Sequence, residues 1–221
     1  MSSYQSLFPI APIAALAIAF LLGSIPFGMI VARLFHVKDL SREGSGNIGA
    51  TNVTRVLGFW PAGALTFGLD VLKGALPVLL AGPVGSKLWT IALGMDGFEF
   101  DESLVWGMGL AAVLGHCFSP WLYFKGGKGV ATGFGALLVL SPVAALFGII
   151  GFAMTFLTRR LGSLASLTGL VVAAVVHLVI HEPGTYLWVG AGILFVIIQR
   201  HSKNIEALLS DQEYQFKNQA E

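Results

Sequence analysis

Residues 44–55 combine the residue types that bind anions: glycine, serine, threonine, asparagine and one arginine, placed between two long apolar segments. Glycines let the backbone turn its amides toward a ligand, and hydroxyl and carboxamide side chains add neutral hydrogen bonds. The forked guanidinium of Arg55 suits phosphate. The segment therefore predicts an anion site at a membrane surface, with an ordinary polar loop as the alternative.

A second segment suited to phosphate is Lys-Gly-Gly-Lys-Gly at residues 125–129. Its spacing does not match the Gly-x4-Gly-Lys-Ser/Thr loop of nucleotide hydrolases. It does offer backbone amides at the start of the helix that follows, where the helix dipole favours anions, together with two lysine charges. The pattern is equally typical of a phosphate site and of two lysines, Lys125 and Lys128, that anchor a helix end among lipid headgroups.

Two opposite charges, Asp70 and Lys73, lie inside an apolar segment at a spacing that puts both on one face of a helix. A lone charge at the centre of a bilayer costs about 2.5–3.5 kcal/mol, so the two are expected to pair and to face the protein interior. Because mutual neutralisation makes both groups poorer acids and bases, we expect them to position nearby loops rather than to do chemistry.

Among the five histidines, His201 lies in a basic segment after the last apolar run and is the best candidate to contact an anionic ligand. His116 is expected to be a structural hydrogen-bonding residue, and His177 and His181 approach the opposite face. No His-Glu-x-x-His spacing predicts a metal site, and no local signature pairs a nucleophile with a histidine and an acid.

The composition predicts an integral membrane protein. Of the 221 residues, 55% are hydrophobic and 11% are charged, whereas a soluble domain usually carries about 25% charged residues. The mean hydropathy is +0.78. The single cysteine, Cys117, leaves no partner for an intramolecular disulfide and is expected to be an apolar filler.

Apolar segments long enough to cross a bilayer occur at five places. They are residues 10–34, 61–81, 104–122, 164–180 and 186–198. Residues 1–9 carry no basic residue, and the apolar run behind them is longer than the core of a signal peptide. We therefore expect the first segment to stay in the protein as a helix.

The uncharged segment 130–157 could form one long helix or two short ones broken at Ser141-Pro142. With two helices the chain has seven spans, and 11 of its 13 lysines and arginines fall on the side of the C-terminus, with Lys87 opposite and Lys73 inside a helix. With one helix the cations divide six against six. The positive-inside rule thus favours seven spans, an outer N-terminus and a cytoplasmic C-terminus, with the two central helices as a short re-entrant or tilted pair.

This topology places four polar segments on the cytoplasmic side. They are residues 45–55, 124–132, 159–166 and 200–205. Three of them lead directly into or out of a span, which predicts one polar site at the cytoplasmic mouth of a helix bundle.

The order and spacing of five motifs closely resemble the bacterial acyl-phosphate:glycerol-3-phosphate acyltransferase family (PlsY-type). The motifs are residues 44–55, Asp70-Val-Leu-Lys-Gly74, Gly115-His116 followed by Pro120 and residues 125–132, Gly162-Ser-Leu164, and Arg200-His201 with Asn204-Ile205. The resemblance runs from the first span to about Leu209.

The resemblance implies an all-α, seven-helix enzyme of the bacterial inner membrane with its active site facing the cytoplasm. Such an enzyme transfers a fatty acyl group from acyl phosphate to the 1-hydroxyl of glycerol 3-phosphate, giving lysophosphatidic acid and inorganic phosphate, without acyl-CoA or acyl carrier protein as donor. The implied partners are the two substrates and membrane lipid. The resemblance is also compatible with functional coupling to the enzyme that makes the acyl phosphate. No cofactor, metal or nucleic acid is implied. Residues 1–221 are expected to form one domain, with 207–221 as a cytoplasmic tail.

The resemblance also implies roles for individual residues. The glycerol 3-phosphate pocket would contain Ser45, Asn47, Arg55, Lys128, His201 and Asn204. The acyl phosphate would lie near Thr51, Asn52, Gly126, Gly127, Gly129, Ser163 and Ser166. Asp70, Lys73 and His116 would give structural support.

The mechanism needs little beyond placement, because an acyl phosphate is a mixed anhydride with a good leaving group. We expect direct transfer without an acyl-enzyme, with a substrate phosphate accepting the hydroxyl proton; His201 as the general base is the competing view. A transporter of small phosphorylated metabolites is the alternative of another class. The polar groups cluster on one side, and no inverted repeat is apparent, which disfavours it.

The chain departs from the family pattern at two places. Ile48 stands where members often have proline, so the first loop is expected to be slightly less rigid. The acidic outer segment 82–103 is longer than expected for the family and should affect stability or contacts rather than chemistry.

Overall fold

The structure is a computed structural model that describes residues 10–82, 87, 100–182, 184 and 186–212. The predictions for residues 1–9, for most of the acidic segment 82–103 and for the end of the tail fall outside these residues. Every regular element of the described chain is helical. The helices are α1 (Ile10–Ser24), α2 (Phe27–Leu34), α3 (Ala50–Leu57), α4 (Ala64–Leu80), α5 (Glu102–Cys117), α6 (Val130–Leu140), α7 (Pro142–Arg159), α8 (Gly162–Ile180), α9 (Tyr186–Arg200) and α10 (Ser202–Leu209). Short turns of other helix types occur at Leu40–Arg42, Phe59–Gly63 and Pro120–Leu122.

Five described segments are long and apolar enough to cross a membrane, in agreement with an all-helical membrane protein. They are Ala11–Leu34, Phe59–Leu80, Glu102–Leu122, Pro142–Arg159 and Gly162–Ile180. Two shorter apolar helices, Val130–Leu140 and Tyr186–Arg200, complete the set. Each predicted span therefore coincides with a helical segment of the structure.

Prolines divide the chain at two points. The segment 130–157 is broken as predicted, since α6 ends at Leu140 and α7 begins at Pro142. Both helices were expected to be short, and for α7 this is wrong: its 18 residues extend about 27 Å. Pro142 occupies the first turn, where a missing N–H removes no helical hydrogen bond, so it begins a full-length helix. The first span also has a break that the sequence did not predict, at Ile25-Pro26 between α1 and α2.

Small residues let the central helices cross closely. A methyl group added at Gly23 of α1 would collide with the backbone of Ala112 in α5, and one added at Gly74 of α4 would collide with the Thr132 carbonyl oxygen in α6. Such contacts let the helices approach at backbone distance in a membrane, where the hydrophobic effect does not drive helix association. They hold α1 against α5 and α4 against α6, and the polar segments at the ends of these helices are held in place with them.

Candidate active site

Polar segments from four parts of the chain meet at one end of the bundle, called here the polar end. Thr51 of α3, Ala131 in the first turn of α6 and Ser166 in the first turn of α8 line the same cavity. Arg200, at the end of α9, donates hydrogen bonds to the loop that precedes α6. The four segments predicted to form one site thus lie together.

The loop of residues 44–55 is organised around the side chain of Asn52, which is 1% exposed. Its Oδ1 accepts from the backbone N–H and the hydroxyl of Ser45 at 2.8 and 3.1 Å. Its Nδ2 donates to the carbonyls of Glu43 and Asn47 at 3.0 and 2.8 Å. These four bonds use the full capacity of a carboxamide. The Asn52 side chain therefore shapes the loop and has no hydrogen-bonding group left for a ligand; that acyl phosphate lies near it stays a prediction.

The hydrogen bonds within this loop determine which donor and acceptor groups Ser45 and Asn47 can present to a ligand. The Ser45 hydroxyl donates its proton within the loop, so toward a ligand the oxygen acts as an acceptor. Asn47 Oδ1 accepts from the Gly49 N–H at 2.9 Å, which leaves the carboxamide N–H groups as the donors that Asn47 can present. The half-buried side chain of Arg55 passes this loop, because a methyl group at Gly44 would lie 3.4 Å from Arg55 Cδ. Hydroxyl, carboxamide and guanidinium groups therefore share one small region.

A short turn at Leu40–Arg42 leads into this loop. Asp39 caps it, with Oδ1 accepting from the Ser41 N–H at 3.1 Å and from the Ser41 hydroxyl at 2.6 Å, while Oδ2 lies 3.1 Å from Arg42 Nε. The hydrogen bond from Ser41 lowers the pKa of Asp39 below its ordinary value. The cap is therefore formed at neutral pH and is lost when the pH falls through this lowered pKa.

The backbone amides at residues 126–129 fall into two sets: some are bonded within the protein, and others lead into the first turn of α6. The N–H groups of Gly126 and Gly127 donate to the carbonyls of Cys117 and His116 at 3.1 and 3.0 Å. These two amides are therefore bonded within the protein; that acyl phosphate lies near Gly126 and Gly127 stays a prediction. Gly129, at φ +83°, is the residue before α6, and the amides of the first turn of α6 follow it. Amides in the first turn of a helix lack partners within the helix, so they are the backbone groups of this segment that an anion could contact.

Arg200 orients this loop, a role that the sequence did not reveal. Its Nη2 and Nε donate to the carbonyls of Gly126 and Gly127 at 2.6 and 2.9 Å, and its guanidinium lies 5.5 Å from the ring centroid of Phe118. The fork thus holds both carbonyls on one side of the loop. An arginine directly before His201, at the end of a span, was the available signal.

His201 is buried, with 1% of its surface exposed, and its Nδ1 lies 2.8 Å from the Ile197 carbonyl oxygen. A carbonyl only accepts, so Nδ1 carries the proton and Nε2 of the neutral ring is an acceptor. His201 precedes α10, which brings half-buried Asn204 to the same end of the molecule. Lys128 is half-buried in the neighbouring loop.

A buried polar chain links the helices beneath these loops. Lys73 Nζ pairs with Asp70 Oδ1 at 2.8 Å, as the spacing predicts, and donates to the Ile25 carbonyl at 2.7 Å. His116 Nδ1 lies 3.7 Å from Asp70 Oδ1 and 3.2 Å from Thr132 Oγ1. The chain joins the α1–α2 break to α4, α5 and α6. It also reaches the phosphate-suited loop, because Gly127 packs directly on the His116 ring.

A large apolar chamber opens beside the polar end. It has a volume of about 1210 Å³ and is lined mainly by apolar side chains of α6, α7, α8 and α9. At its rim Ser166 Oγ donates to the Gly162 carbonyl at 2.8 Å, and Ser163, in the same turn, is buried with no hydrogen-bond partner for Oγ among the described residues. The sequence did not predict the chamber, since an apolar side chain looks the same whether it faces lipid or a cavity.

The arrangement thus places cationic and hydrogen-bonding groups for an anion next to an apolar space. Among the described residues no group of three or more His, Cys, Asp or Glu side chains could hold a metal ion. Such a site can hold an amphipathic substrate with its polar group at the rim and its apolar part in the chamber.

Comparison with known proteins gives one consistent result. The family model for glycerol-3-phosphate acyltransferase matches residues 13–211. The enzyme of that name from Aquifex aeolicus is 42% identical over 198 residues, which cover 90% of this chain and 95% of the relative. One from Thermus thermophilus is 43% identical over 202 residues, with 90% and 92% coverage.

Two solved structures share the fold. One is PlsY, an integral membrane glycerol 3-phosphate acyltransferase, in its glycerol 3-phosphate form, with a TM-score of 0.80, 40% identity and coverage of 94% of this chain and 96% of PlsY. The other is its lysophosphatidic acid form, with a TM-score of 0.78, 39% identity and the same coverage. A family match over nearly the whole chain, relatives above 40% identity and a shared membrane fold lead to one conclusion: the chain belongs to the glycerol-3-phosphate acyltransferase family.

Proposed function

We propose that this enzyme transfers a fatty acyl group from acyl phosphate to the 1-hydroxyl of glycerol 3-phosphate, releasing lysophosphatidic acid and inorganic phosphate. The observation that carries the proposal is the apolar chamber whose rim is formed by the phosphate-suited segments. A soluble phosphate and a lipid-soluble acyl donor can meet only at such a boundary. The family match does not favour the transporter alternative.

Glycerol 3-phosphate would bind to the two cations and the neutral groups of the polar end. Arg55 and Lys128 would hold the phosphate dianion, since charge-assisted hydrogen bonds are the strong ones. Ser45 and Nε2 of His201 would accept hydrogen bonds from the glycerol hydroxyls, while Asn47 and Asn204 would complete the pocket. A relative of this fold in its glycerol 3-phosphate form supports this choice of ligand.

The acyl phosphate would place its chain in the chamber and its phosphate at the rim. Thr51 and Ser166 line the cavity there, and the free hydroxyl of Ser163 lies in the same turn as Ser166. The backbone of Gly129 leads into the first-turn amides of α6, which the helix dipole makes suitable for the anion. In this proposal Asn52, Gly126 and Gly127 shape the two loops rather than donate to the phosphate.

The reaction would be a direct transfer. The glycerol oxygen attacks the acyl carbon, the carbon–oxygen bond to phosphate breaks, and phosphate leaves with the electron pair while the hydroxyl proton passes to a phosphate oxygen. Amides of the first turn of α6 would stabilise the developing oxyanion. Placement of the two substrates supplies most of the remaining acceleration.

We further propose seven spans in the bacterial inner membrane, with the N-terminus outside and the polar end in the cytoplasm, where glycerol 3-phosphate is found. The five long and two shorter apolar helices support this number, and the distribution of lysine and arginine supports the orientation. Residues 1–221 would act as one domain. An enzyme that makes acyl phosphate must supply the donor, and functional coupling to it follows from this need.

The deciding experiment incubates purified protein with palmitoyl phosphate and glycerol 3-phosphate and measures lysophosphatidic acid and free phosphate. We expect equal amounts of both products, with palmitoyl-CoA giving none. Arg55→Ala should raise KM for glycerol 3-phosphate by at least about tenfold, as expected for loss of a charged hydrogen bond. Arg33→Ala, in the last turn of α2 and exposed, should behave like wild type. Absence of product from folded protein, or transfer from the CoA donor alone, would overturn the proposal.

His201→Gln separates the two views of this residue. If His201 binds and orients the glycerol, the variant keeps substantial kcat while KM for glycerol 3-phosphate rises. A large loss of kcat with KM unchanged would instead identify His201 as the general base.

A further inference from the structure

We propose that three rings at the far end of the chamber, those of Trp106, His177 and Tyr186, set the longest acyl chain that the enzyme accepts. The proposal rests on the acyl-transfer function above and adds the residues that determine chain-length specificity. All three line the chamber at the end opposite to its polar rim.

The length of the chamber matches one acyl chain. Helix α8 lines it from Ser166 at the rim to His177 at the far end, and α9 lines it from Ile197 to Tyr186. Each pair is eleven residues apart, so the chamber is about 16 Å long at 1.5 Å per helical residue. This is close to half of the roughly 30 Å hydrocarbon thickness of a bilayer, which is the depth of one leaflet. A chain of the kind found in the surrounding membrane therefore reaches the three rings.

The three rings form a packed floor contributed by three helices. Trp106 of α5 stacks on Tyr186 of α9 with ring centroids 5.5 Å apart, and it lies tilted against His177 of α8 with centroids 5.0 Å apart. His177 meets Tyr186 edge to face at 5.7 Å. Each of the three side chains is less than 9% exposed. Each ring packs against the other two, so displacing any one of them would cost packing energy. The floor is therefore rigid.

His177 also makes the floor polar. It is 8% exposed, and neither ring nitrogen has a hydrogen-bond partner among the described residues. A terminal methyl group pressed against this imidazole would remove its remaining access to water without replacing a hydrogen bond, which is unfavourable. Chains that end before His177 avoid this contact, and longer chains do not. The end of the chamber thus discriminates by polarity as well as by size.

The test compares kcat/KM for a series of saturated acyl phosphates from dodecanoyl to eicosanoyl in wild type and in variants. His177→Leu removes the polar contact, and Trp106→Ala makes room for one or two methylene groups. Each should raise the ratio of eicosanoyl to palmitoyl activity by about tenfold. Ala174→Phe fills the chamber about 12 Å from Ser166, eight helical residues away, and should lower the ratio of palmitoyl to dodecanoyl activity to a similar extent.

Val179→Leu is the matched control on the same helix, because Val179 is 79% exposed and does not line the chamber. It should keep the wild-type chain-length profile. In all variants KM for glycerol 3-phosphate should stay unchanged, which a general structural defect would not allow. If Trp106→Ala does not fold, His177→Leu and Ala174→Phe still decide the question. The same chain-length profile in these active variants as in wild type would overturn the proposal. A wild-type enzyme without acyl phosphate activity would overturn the proposed function instead.

Discussion

At the scale of single residues, Asn52 determines the shape of the first loop. An asparagine in a polar segment beside a ligand site suggests a direct contact, yet this one is buried with all four hydrogen-bonding positions used by the loop. Its contribution to binding is therefore indirect: it fixes where Ser45 and Asn47 lie.

Asn52→Asp should abolish glycerol 3-phosphate binding at ordinary concentrations. A carboxylate cannot donate to the Glu43 and Asn47 carbonyls and would face both of them at hydrogen-bond distance, at a cost of about 3 kcal/mol or more. We expect KM to rise at least about a hundredfold while most of the bundle remains folded, as monitored by thermal unfolding. Gln199→Glu makes the same chemical change at an exposed position and should have little effect. A wild-type KM in Asn52→Asp would contradict the role assigned to Asn52.

Arg200→Lys tests the two hydrogen bonds by which the guanidinium holds the loop of residues 125–129. Lysine keeps the charge but cannot bond both the Gly126 and Gly127 carbonyls in a fixed plane. Loss of one charged hydrogen bond, about 1.5–3 kcal/mol, should lower kcat/KM roughly tenfold to a hundredfold. Arg33→Lys, at an exposed position outside the polar segments, is the control. If charge alone matters at Arg200, steady-state kinetics will show the lysine variant to be as active as wild type.

At the scale of helices, the buried ion pair holds α4 in register with its neighbours. Lys73 reaches the carbonyl at the α1–α2 break, and Asp70 lies near His116, so one pair connects four helices. Removing one charge leaves the other buried without compensation, which is more costly than removing both.

A double-mutant cycle measures this coupling. Asp70→Asn and Lys73→Met should each lower the free energy of unfolding by about 3–5 kcal/mol. The double variant should be destabilised by clearly less than the sum, because neither ion is then left alone. Thermal or denaturant unfolding in detergent gives the values. Additive effects would show that the 2.8 Å contact contributes no coupling energy.

At the scale of the whole molecule, membrane orientation can be tested through the single cysteine. Cys117 is buried, so in a Cys117→Ala background a new cysteine can report its side by labelling. Lys87 and Lys203 are exposed and are separated by α5 to α9. If each of these five helices crosses the membrane, Lys87→Cys and Lys203→Cys react with an impermeant reagent from opposite sides, and Lys203→Cys reacts only from the cytoplasm. Labelling of both from one side would refute seven spans.

The sequence by itself determined the class of protein, the approximate spans and the identity of most polar segments, because these depend on composition and on local patterns. Apolar length predicted the helices, and the distribution of lysine and arginine favoured a break at Ser141-Pro142. The i, i+3 spacing predicted the Asp70–Lys73 pair, which the structure contains. The motif order predicted the family, which the comparisons confirm.

Only the tertiary structure decided what each polar group is free to do. Hydrogen bonds within each loop and to the end of α5 used up the Asn52 side chain and the Gly126 and Gly127 amides. Bonds to carbonyls more than 70 residues away in sequence gave Arg200 its role. The chamber likewise arises from how α6, α7, α8 and α9 pack together, so no local pattern encodes it. A polar group can make only a few hydrogen bonds, and an apolar side chain can face either lipid or a cavity. Which bonds form and which side chains line the chamber are therefore determined only when the helices pack together.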